Sequence, residues 1–220
     1  MPNQDQNLND SGARKKAGGG GVAAVILAAG ESRRSGDANK LLFEAGGAPL
    51  VRRAAGAALA SRAAEVITVT GYEADLIISV LAGLDLRVVH NPNYHDGLST
   101  SLKAGISAVP EGRTGALVLL ADMPRISAYI IDLLIGRFED GGETDICAPV
   151  FERRRGHPVL WPRRFFPQLL GVSGDTGGRD LLKMNADEIS AVEVDSADIH
   201  FDVDCPGDLP GDSSEDLPDE

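Results

Sequence analysis

Three basic residues follow a short apolar run near the start of the chain. Residues 22–27 are small or branched and lead into a loop of alanines and glycines, where Gly30 precedes Arg33, Arg34 and Lys40. Small residues let backbone N–H groups approach a phosphate closely, and cations offset its negative charge. The loop matches neither a Walker A sequence nor a GxGxxG dinucleotide fingerprint. The sequence therefore predicts a phosphate site on a less common loop.

Carboxylates stand at two further places. Asp122 follows the apolar run 116–120, separated from it by one alanine. Mg²⁺ prefers oxygen ligands and needs only one or two protein carboxylates, because it keeps several waters. We therefore expect Asp122 to bind a metal ion. Asp202 and Asp204 alternate along a later segment, so both would lie on one side of an extended chain and face an ion or a second substrate.

The elements that must position these residues alternate along the chain. The predicted strands are 22–27, 66–70, 86–90 and 116–120, and the predicted helices are 50–62, 74–82, 99–106 and 127–138. Strands and helices at this spacing form right-handed crossovers in a parallel sheet that has helices on both faces. The predicted fold is α/β, a Rossmann-like three-layer sandwich with a mainly parallel central sheet. Ligands bind beyond the carboxyl ends of such strands.

A charged turn separates two later apolar segments. Segments 146–150 and 158–161 flank the turn 152–156, and we expect them to form an antiparallel excursion that covers the site. The three arginines of this turn are expected to be solvated, with attraction of an anionic substrate as the alternative.

Charge, hydropathy and cysteine content narrow the classes of function. With 33 acidic and 21 basic residues, the formal net charge is −12, which argues against nucleic-acid binding. The longest apolar stretch, residues 22–29, is far shorter than the roughly 20 residues that span a bilayer. Cys147 and Cys205 lack CxxC spacing, which favours a reducing cytoplasm. We predict one domain over 22–209, a disordered leader over 1–21 and an acidic disordered tail over 210–220.

The motifs resemble one known family in their order. Residues 27–40 read LAAGESRRSGDANK and resemble the LAAGxSxRMGxxNK signature of the MobA-like nucleotidyltransferases, in particular the molybdenum cofactor cytidylyltransferase branch. Ser35 stands where that signature has Met. The resemblance continues through segments 91–102, 121–124, 156–160, 174–179 and 201–209, and implies a fold of the nucleotide-diphospho-sugar transferase type. The segment 174–179 ends in GGR where the family has GAR.

This resemblance implies a role for each matching residue. The residues implied to contact the nucleotide are Leu27, Ala28, Ala29, Gly30, Arg34, Lys40, Gly97, Ser99 and Ser101. The residues implied to contact the acceptor are His157, Gly174, Asp175, Arg179 and Asp202. The implied metal ligands are Asp122 and Asp204, and the implied catalytic residues are Arg34, Lys40 and Asp122.

The implied reaction is transfer of a nucleoside monophosphate. The phosphate of a molybdopterin-type acceptor attacks the α-phosphorus of CTP, with Mg²⁺ as cofactor and pyrophosphate as leaving group. CTP is favoured because residues 27–30 read LAAG, where the guanylyl branch has LAGG, and we expect the Ala29 methyl to narrow the base pocket.

A recipient molybdoenzyme is a further implied partner, whereas nucleic acid and membrane are not. Several alternatives stay open at this point. They are transfer to another phosphorylated acceptor such as a sugar phosphate or isoprenoid precursor, guanylylation of the molybdenum cofactor, and a non-catalytic cofactor-binding chaperone.

Overall fold

A computed structural model describes residues 20–31, 39–175, 177–204 and 206–208, in which strands and helices alternate. The strands are β1 (Val22–Ala28), β2 (Glu44–Ala45), β3 (Ala48–Pro49), β4 (Glu65–Thr70), β5 (Arg87–His90), β6 (Gly115–Leu120), β7 (Ile146–Phe151), β8 (Arg154–Arg155), β9 (Val159–Pro162) and β10 (Ile189–Glu193). The helices are α1 (Leu50–Ala60), α2 (Ala74–Leu81), α3 (Leu98–Ala108), α4 (Ala128–Asp140), α5 (Phe166–Gly171) and α6 (Arg179–Met184). Short 3₁₀ turns join several of these elements.

Some predictions fall outside the described residues. They are the leader up to residue 19, Arg33 and Arg34 in the basic loop, Cys205, and the tail. The last two positions of the predicted leader are described, and backbone hydrogen bonds join Gly20 to Gly112 and Gly21 to Thr114.

The central sheet has the order β10-β7-β9-β6-β1-β4-β5, and β8 pairs with β7 at its side. Neighbouring strands are parallel except where β9 lies against β6 and β7, and where β8 pairs with β7. The predicted α/β fold with a mainly parallel sheet is therefore confirmed. Because β4 and β5 lie on one side of β1 and β6 on the other, the order reverses at β1, and a crevice opens between β1 and β6.

Side chains of β1 alternate between the two faces of the sheet. Val22, Ala24 and Ile26 pack with residues of α1, α2 and α4, whereas Ala23 and Val25 pack with residues of α3 and α5. Successive strand residues point to opposite faces, so an all-apolar strand requires cover on both sides. The two cores lie on opposite faces of the sheet, each beneath a set of helices, so that helices, sheet and helices form the three layers that the sequence predicts.

The antiparallel pairing of segments 146–150 and 158–161 is confirmed in β7 and β9, but the two strands do not cover the site as predicted. Strand β9 is buried along its whole length between β6 and β7, so it is part of the sheet and does not cover the site. Four consecutive apolar residues with no polar face explain this position. Only the turn that ends in β8 remains outside the main path of the sheet.

Helix boundaries follow local hydrogen bonds. Ser127 caps α4 as predicted, because its side chain accepts a hydrogen bond from the N–H of Ile130. Helix α1 ends at Ala60, two residues before its predicted end, where the Ser61 hydroxyl donates to the carbonyl of Ala58. None of the helices in the described part of the chain is long and apolar enough to cross a membrane.

Candidate active site

The carboxyl ends of β1 and β6 bring the glycine loop and Asp122 together. The N–H of Ala121 donates to the carbonyl of Leu27 over 3.1 Å, which continues the pairing of the two strands by one residue. Asp122 therefore leaves the sheet directly beside the loop that begins at Ala29. Parallel neighbours end at the same edge, so this proximity follows from the strand order.

An ionic cluster lies at this edge. Lys40 Nζ is 2.7 Å from Asp122 Oδ2 and 3.3 Å from Asp204 Oδ1. Asp204 arrives from the segment 201–204, where the N–H of Val203 donates to the carbonyl of Asp122 over 3.0 Å. Two distant parts of the chain are thus fixed around one ammonium group.

The charges of this cluster stabilise one another. Burial lowers the pKa of Lys40, but the carboxylates of Asp122 and Asp204 outweigh that effect, so its pKa is raised and the ammonium stays charged. Asp122 Oδ1, in contrast, is buried and has no hydrogen-bond partner. A buried carboxylate oxygen without a partner is costly, and a cation would satisfy it.

These residues fit a divalent ion that shares its coordination with a substrate. Within the described residues no group of three or more His, Cys, Asp or Glu side chains gathers around one point. Mg²⁺ commonly takes one or two carboxylates together with waters and substrate phosphates. Asp122 and Asp204 provide this small ligand set.

A first cavity of about 300 Å³ opens above the cluster. Of the residues predicted to contact nucleotide or metal, its lining includes Leu27, Ala29, Gly30, Lys40, Gly97, Ser101 and Asp122. Ala28 and Ser99 are buried in the protein and do not line it. Gly30 does not adopt a positive φ, and a Cβ there would meet open space. Its lack of a side chain therefore matters for access to the cavity and not for the turn itself.

A second cavity of about 460 Å³ adjoins the first. Leu27, Leu98, Leu120 and Asp175 line both cavities and form a shared wall. Of the residues predicted to contact the acceptor, the second cavity contains His157, Asp175 and Arg179. Gly174 and Asp202 are exposed and line neither cavity. Most residues predicted to contact the nucleotide thus line the first space and most predicted to contact the acceptor line the second, while Leu27 and Asp175 belong to both.

The first turn of α3 is hydrogen-bonded to another part of the protein. The N–H of Leu98 donates to Asp175 Oδ1 over 3.2 Å and that of Ser99 to the carbonyl of Gly174 over 3.1 Å. Gly97 precedes the helix with φ 104, and a Cβ there would lie 2.5 Å from Asp175 Oδ1. These donors are already used, so a ligand meets α3 through side chains such as that of Ser101.

His157 borders the second cavity as a neutral imidazole. Its backbone N–H donates to the carbonyl of Ile199, and its Nδ1 is buried without a partner. Burial is the main cause that lowers the pKa of His157; nearby Arg179 lowers it further, whereas Asp122 and Asp202 raise it. A neutral ring can offer one donor and one acceptor to a ligand.

Sequence reasoning missed the aromatic wall of the first cavity. Tyr94 and His95 line it, with ring centroids 4.9 Å apart and nearly perpendicular rings. A Cβ at Gly71 would lie 2.6 Å from Tyr94 Cβ and 2.8 Å from Ala29 Cβ, so a glycine is needed for both to pack there. The position of this pair just beyond β5 was the available signal, because strand ends carry ligand contacts.

The reversed strand order and the Lys–Asp cluster at its crevice are features of a nucleotidyltransferase of the nucleotide-diphospho-sugar transferase fold. The chain matches the family described as the MobA-like NTP transferase domain over residues 24–191, and it belongs to that family.

Two curated relatives are similar in sequence. Molybdenum cofactor cytidylyltransferase of Escherichia coli K12 is 29% identical over 145 residues, which cover 66% of this chain and 71% of that protein. Nicotine blue oxidoreductase of Paenarthrobacter nicotinovorans is 29% identical over 182 residues, which cover 80% and 88%.

Among solved structures, Rv0371c of Mycobacterium tuberculosis H37Rv aligns with a TM-score of 0.76 at 24% identity, covering 87% of this chain and 96% of that chain. A manganese complex of Rv0371c aligns with a TM-score of 0.65 at 23% identity, covering 80% and 89%. These structural matches show the fold.

Proposed function

We propose that this chain transfers CMP from CTP to the phosphate of a molybdopterin-type cofactor and releases pyrophosphate. The observation that carries the proposal is the Lys40–Asp122–Asp204 cluster beneath one cavity, with a second cavity directly beside it. Two substrates that must react with each other require two adjoining spaces. The cytidylyltransferase relative and the LAAG sequence at 27–30 support the choice of CTP and of the acceptor.

The reaction forms one bond and breaks another. An oxygen of the acceptor phosphate bonds to the α-phosphorus of CTP, and the bond from that phosphorus to the β-phosphate oxygen breaks, so that pyrophosphate leaves. A phosphate is already ionised near neutral pH, so no general base is needed. The protein acts by aligning the two substrates and by offsetting charge at the transferring phosphoryl group.

Lys40 and Arg34 carry the positive charge on the protein's side of this step. Lys40 binds the phosphates from the floor of the first cavity, while Arg34, which lies outside the described residues, does so from the loop. Asp122 and Asp204 hold Mg²⁺, which neutralises and orients the phosphates when bound. Nucleotidyltransferases of this type typically use a divalent metal, and Rv0371c forms a complex with manganese.

The acceptor lies in the second cavity, near His157, Asp175 and Arg179. Its phosphate reaches the first cavity across the wall that the two spaces share. The cysteine usage favours the cytoplasm as the place of reaction, and a recipient molybdoenzyme would take the product.

The test is a panel of the four NTPs with a molybdopterin-type acceptor and Mg²⁺, followed through pyrophosphate release. The proposal expects release that requires both CTP and acceptor, with a lower kcat/KM for GTP. Preference for GTP would favour guanylylation, and release with only a sugar phosphate or an isoprenoid phosphate would favour those acceptors. Binding of acceptor without release under any condition would favour the chaperone alternative.

A further inference from the structure

The floor of the second cavity is apolar and includes a large ring. Val159 and Trp161 project from β9, and Leu182 faces them from α6. Trp161 is nearly fully buried, and its ring packs edge-to-face against Phe165 with centroids 6.1 Å apart. Because Trp161 is only 2% exposed, its ring offers little open face for stacking, and the floor as a whole suits an apolar part of a ligand.

The rim of the same cavity is strongly basic. Arg154 and Arg155 extend from β8 and Arg179 begins α6, and all three are exposed. Asp175 is the one carboxylate in the described lining, and its Oδ1 already accepts the N–H of Leu98. This excess of cations stands on a chain whose formal net charge is −12.

These arginines differ from the others in having no protein partner. Each described arginine outside the turn 152–155, apart from Arg179, donates to an oxygen or pairs with a carboxylate. Arg62 pairs with Glu139, for example, and Arg125 with Asp198. Within the described residues Arg154, Arg155 and Arg179 make no such contact. Their guanidinium groups are available to a ligand.

The position of these cations separates them from the reacting phosphate. Arg154, Arg155 and Arg179 line the second cavity only, whereas Lys40 lines the first cavity only. We infer that the three arginines bind a second anionic group of the acceptor, distinct from its reacting phosphate, while the body of the acceptor lies on the apolar floor of the cavity. This rests on the proposed function in that it takes the second cavity as the acceptor's site.

His157 supports the same assignment. Its Nδ1 is buried without a partner, so the cavity lacks one hydrogen-bonding group that a bound ligand would supply. A polar group on the body of the acceptor would meet this nitrogen. The acceptor class is therefore a molecule with a partly apolar body and anionic charge at two separate points, one of them remote from the reacting phosphate.

A pair of matched probes tests this without any nucleotide transfer. 1-Anilinonaphthalene-8-sulfonate and N-phenyl-1-naphthylamine share one ring system and differ in the sulfonate. Trp161 is the single tryptophan of the chain, so quenching of its fluorescence reports binding in this cavity. The wild-type protein should bind the sulfonate more tightly than the neutral probe.

Substitutions then test whether the rim arginines cause the preference for the sulfonate probe. Arg155→Gln and Arg179→Gln should each weaken sulfonate binding roughly threefold to fivefold, as expected for exposed charge pairs. The double variant should lose about tenfold or more. Binding of the neutral probe should not change, which also shows that the variants are folded. Arg153→Gln is the matched control, because Arg153 lies in the same turn but does not line the cavity.

Two results would overturn the inference. One is an equal loss of sulfonate binding in Arg153→Gln, and the other is unchanged sulfonate binding in the double variant. The pyrophosphate assay is separate, so the two failures are distinguishable. If the protein shows the rim-dependent sulfonate preference but releases no pyrophosphate, the anion site is supported and the proposed function is contradicted.

Discussion

The two adjoining cavities differ in how far their charged side chains are paired within the protein. In the first, Lys40 lies between Asp122 and Asp204, so these charges are paired largely within the protein, with an excess of one carboxylate that suits a cation. In the second, the rim arginines face no free carboxylate among the described residues, and a ligand must complete the charge balance. A substitution in the first cavity therefore leaves a partner unbalanced inside the protein, whereas one in the second removes only an attraction for ligand.

The two cavities also differ in the secondary-structure elements that form them. The first is built where β1 and β6 end, at the centre of the parallel sheet. The second is built largely on β9, the turn that ends in β8, and the short helix α6. The residues of the first cavity are held by strand register, while those of the second depend on turns, which tolerate change more readily. The predictions below test this contrast, from the largest expected effect to the smallest.

Asp122→Asn should produce the largest loss. We expect turnover to fall by at least about a thousandfold, because the charged oxygen that balances Lys40 and faces a metal ion is removed from a preorganised site. The melting temperature should fall only modestly, because Asp204 still pairs with Lys40 in the variant. Asp140→Asn, at the exposed end of α4, is the control. Pyrophosphate release by folded Asp122→Asn protein at the wild-type rate would exclude Asp122 from the reaction.

Lys40→Met should increase the affinity for metal in the absence of nucleotide. The ammonium of Lys40 occupies the space between the two carboxylates that a divalent ion needs, so its removal should tighten Mn²⁺ binding about tenfold. Titration of nucleotide-free protein by Mn²⁺ electron paramagnetic resonance measures this directly. Equal or weaker binding in the variant would show that Lys40 does not compete with the ion.

Ala29→Gly should change base selectivity by less than about threefold in the ratio of kcat/KM for CTP and GTP. Ala29 lines the first cavity but is only 2% exposed, and its methyl packs towards Gly71, so its removal should widen the cavity less than the sequence led us to expect. Ser101→Ala, which removes a hydroxyl from the cavity wall, should change the ratio more. A tenfold gain for GTP in Ala29→Gly would instead place the methyl against the base.

His157→Gln should reduce the sensitivity of stability to acid. The pKa of His157 is lowered in the folded protein, so the unfolded chain takes up its proton first. The stability that depends on the neutral ring is complete above about pH 6.5 and is lost as the pH falls through the folded pKa. Between pH 7.5 and 5.5 the wild-type melting temperature should fall by about 1 to 3 °C more than that of the variant.

His90→Gln, at the exposed end of β5, is the control for this measurement and should behave like the wild type. If all three proteins lose the same stability on acidification, the ring of His157 is not held in its neutral form by the fold.

Periodicity predicted the parallel half of the sheet well. Strands β1, β4, β5 and β6 and helices α1 to α4 were each predicted within a few residues, because strand and helix periods differ clearly there. Strand β9 was recognised as a strand but misplaced, since an apolar run does not indicate which neighbours it pairs with. Helices α5 and α6 and strand β10 were missed, because they are short and have mixed polarity.

The site was predictable where it depends on strand ends. Lys40, Asp122 and Asp204 meet as the motif order implied. The capping of α3 by Asp175 was not predictable, because a contact between residues 77 positions apart depends on the tertiary path of the chain. Arg154 and Arg155 are exposed, as expected for a solvated turn, and their place beside the second cavity likewise depends on the tertiary path of the chain.

The hydrogen bonds from α3 to Gly174 and Asp175 connect the two cavities mechanically. The segment that contains these two acceptors continues into Arg179, so a substrate that draws Arg179 inward pulls on the same backbone that holds the start of α3. Leu98, at that start, belongs to the wall of both cavities. We therefore expect occupancy of one space to affect the other, in which case thermodynamic reciprocity would require each substrate to change the other's affinity by the same factor.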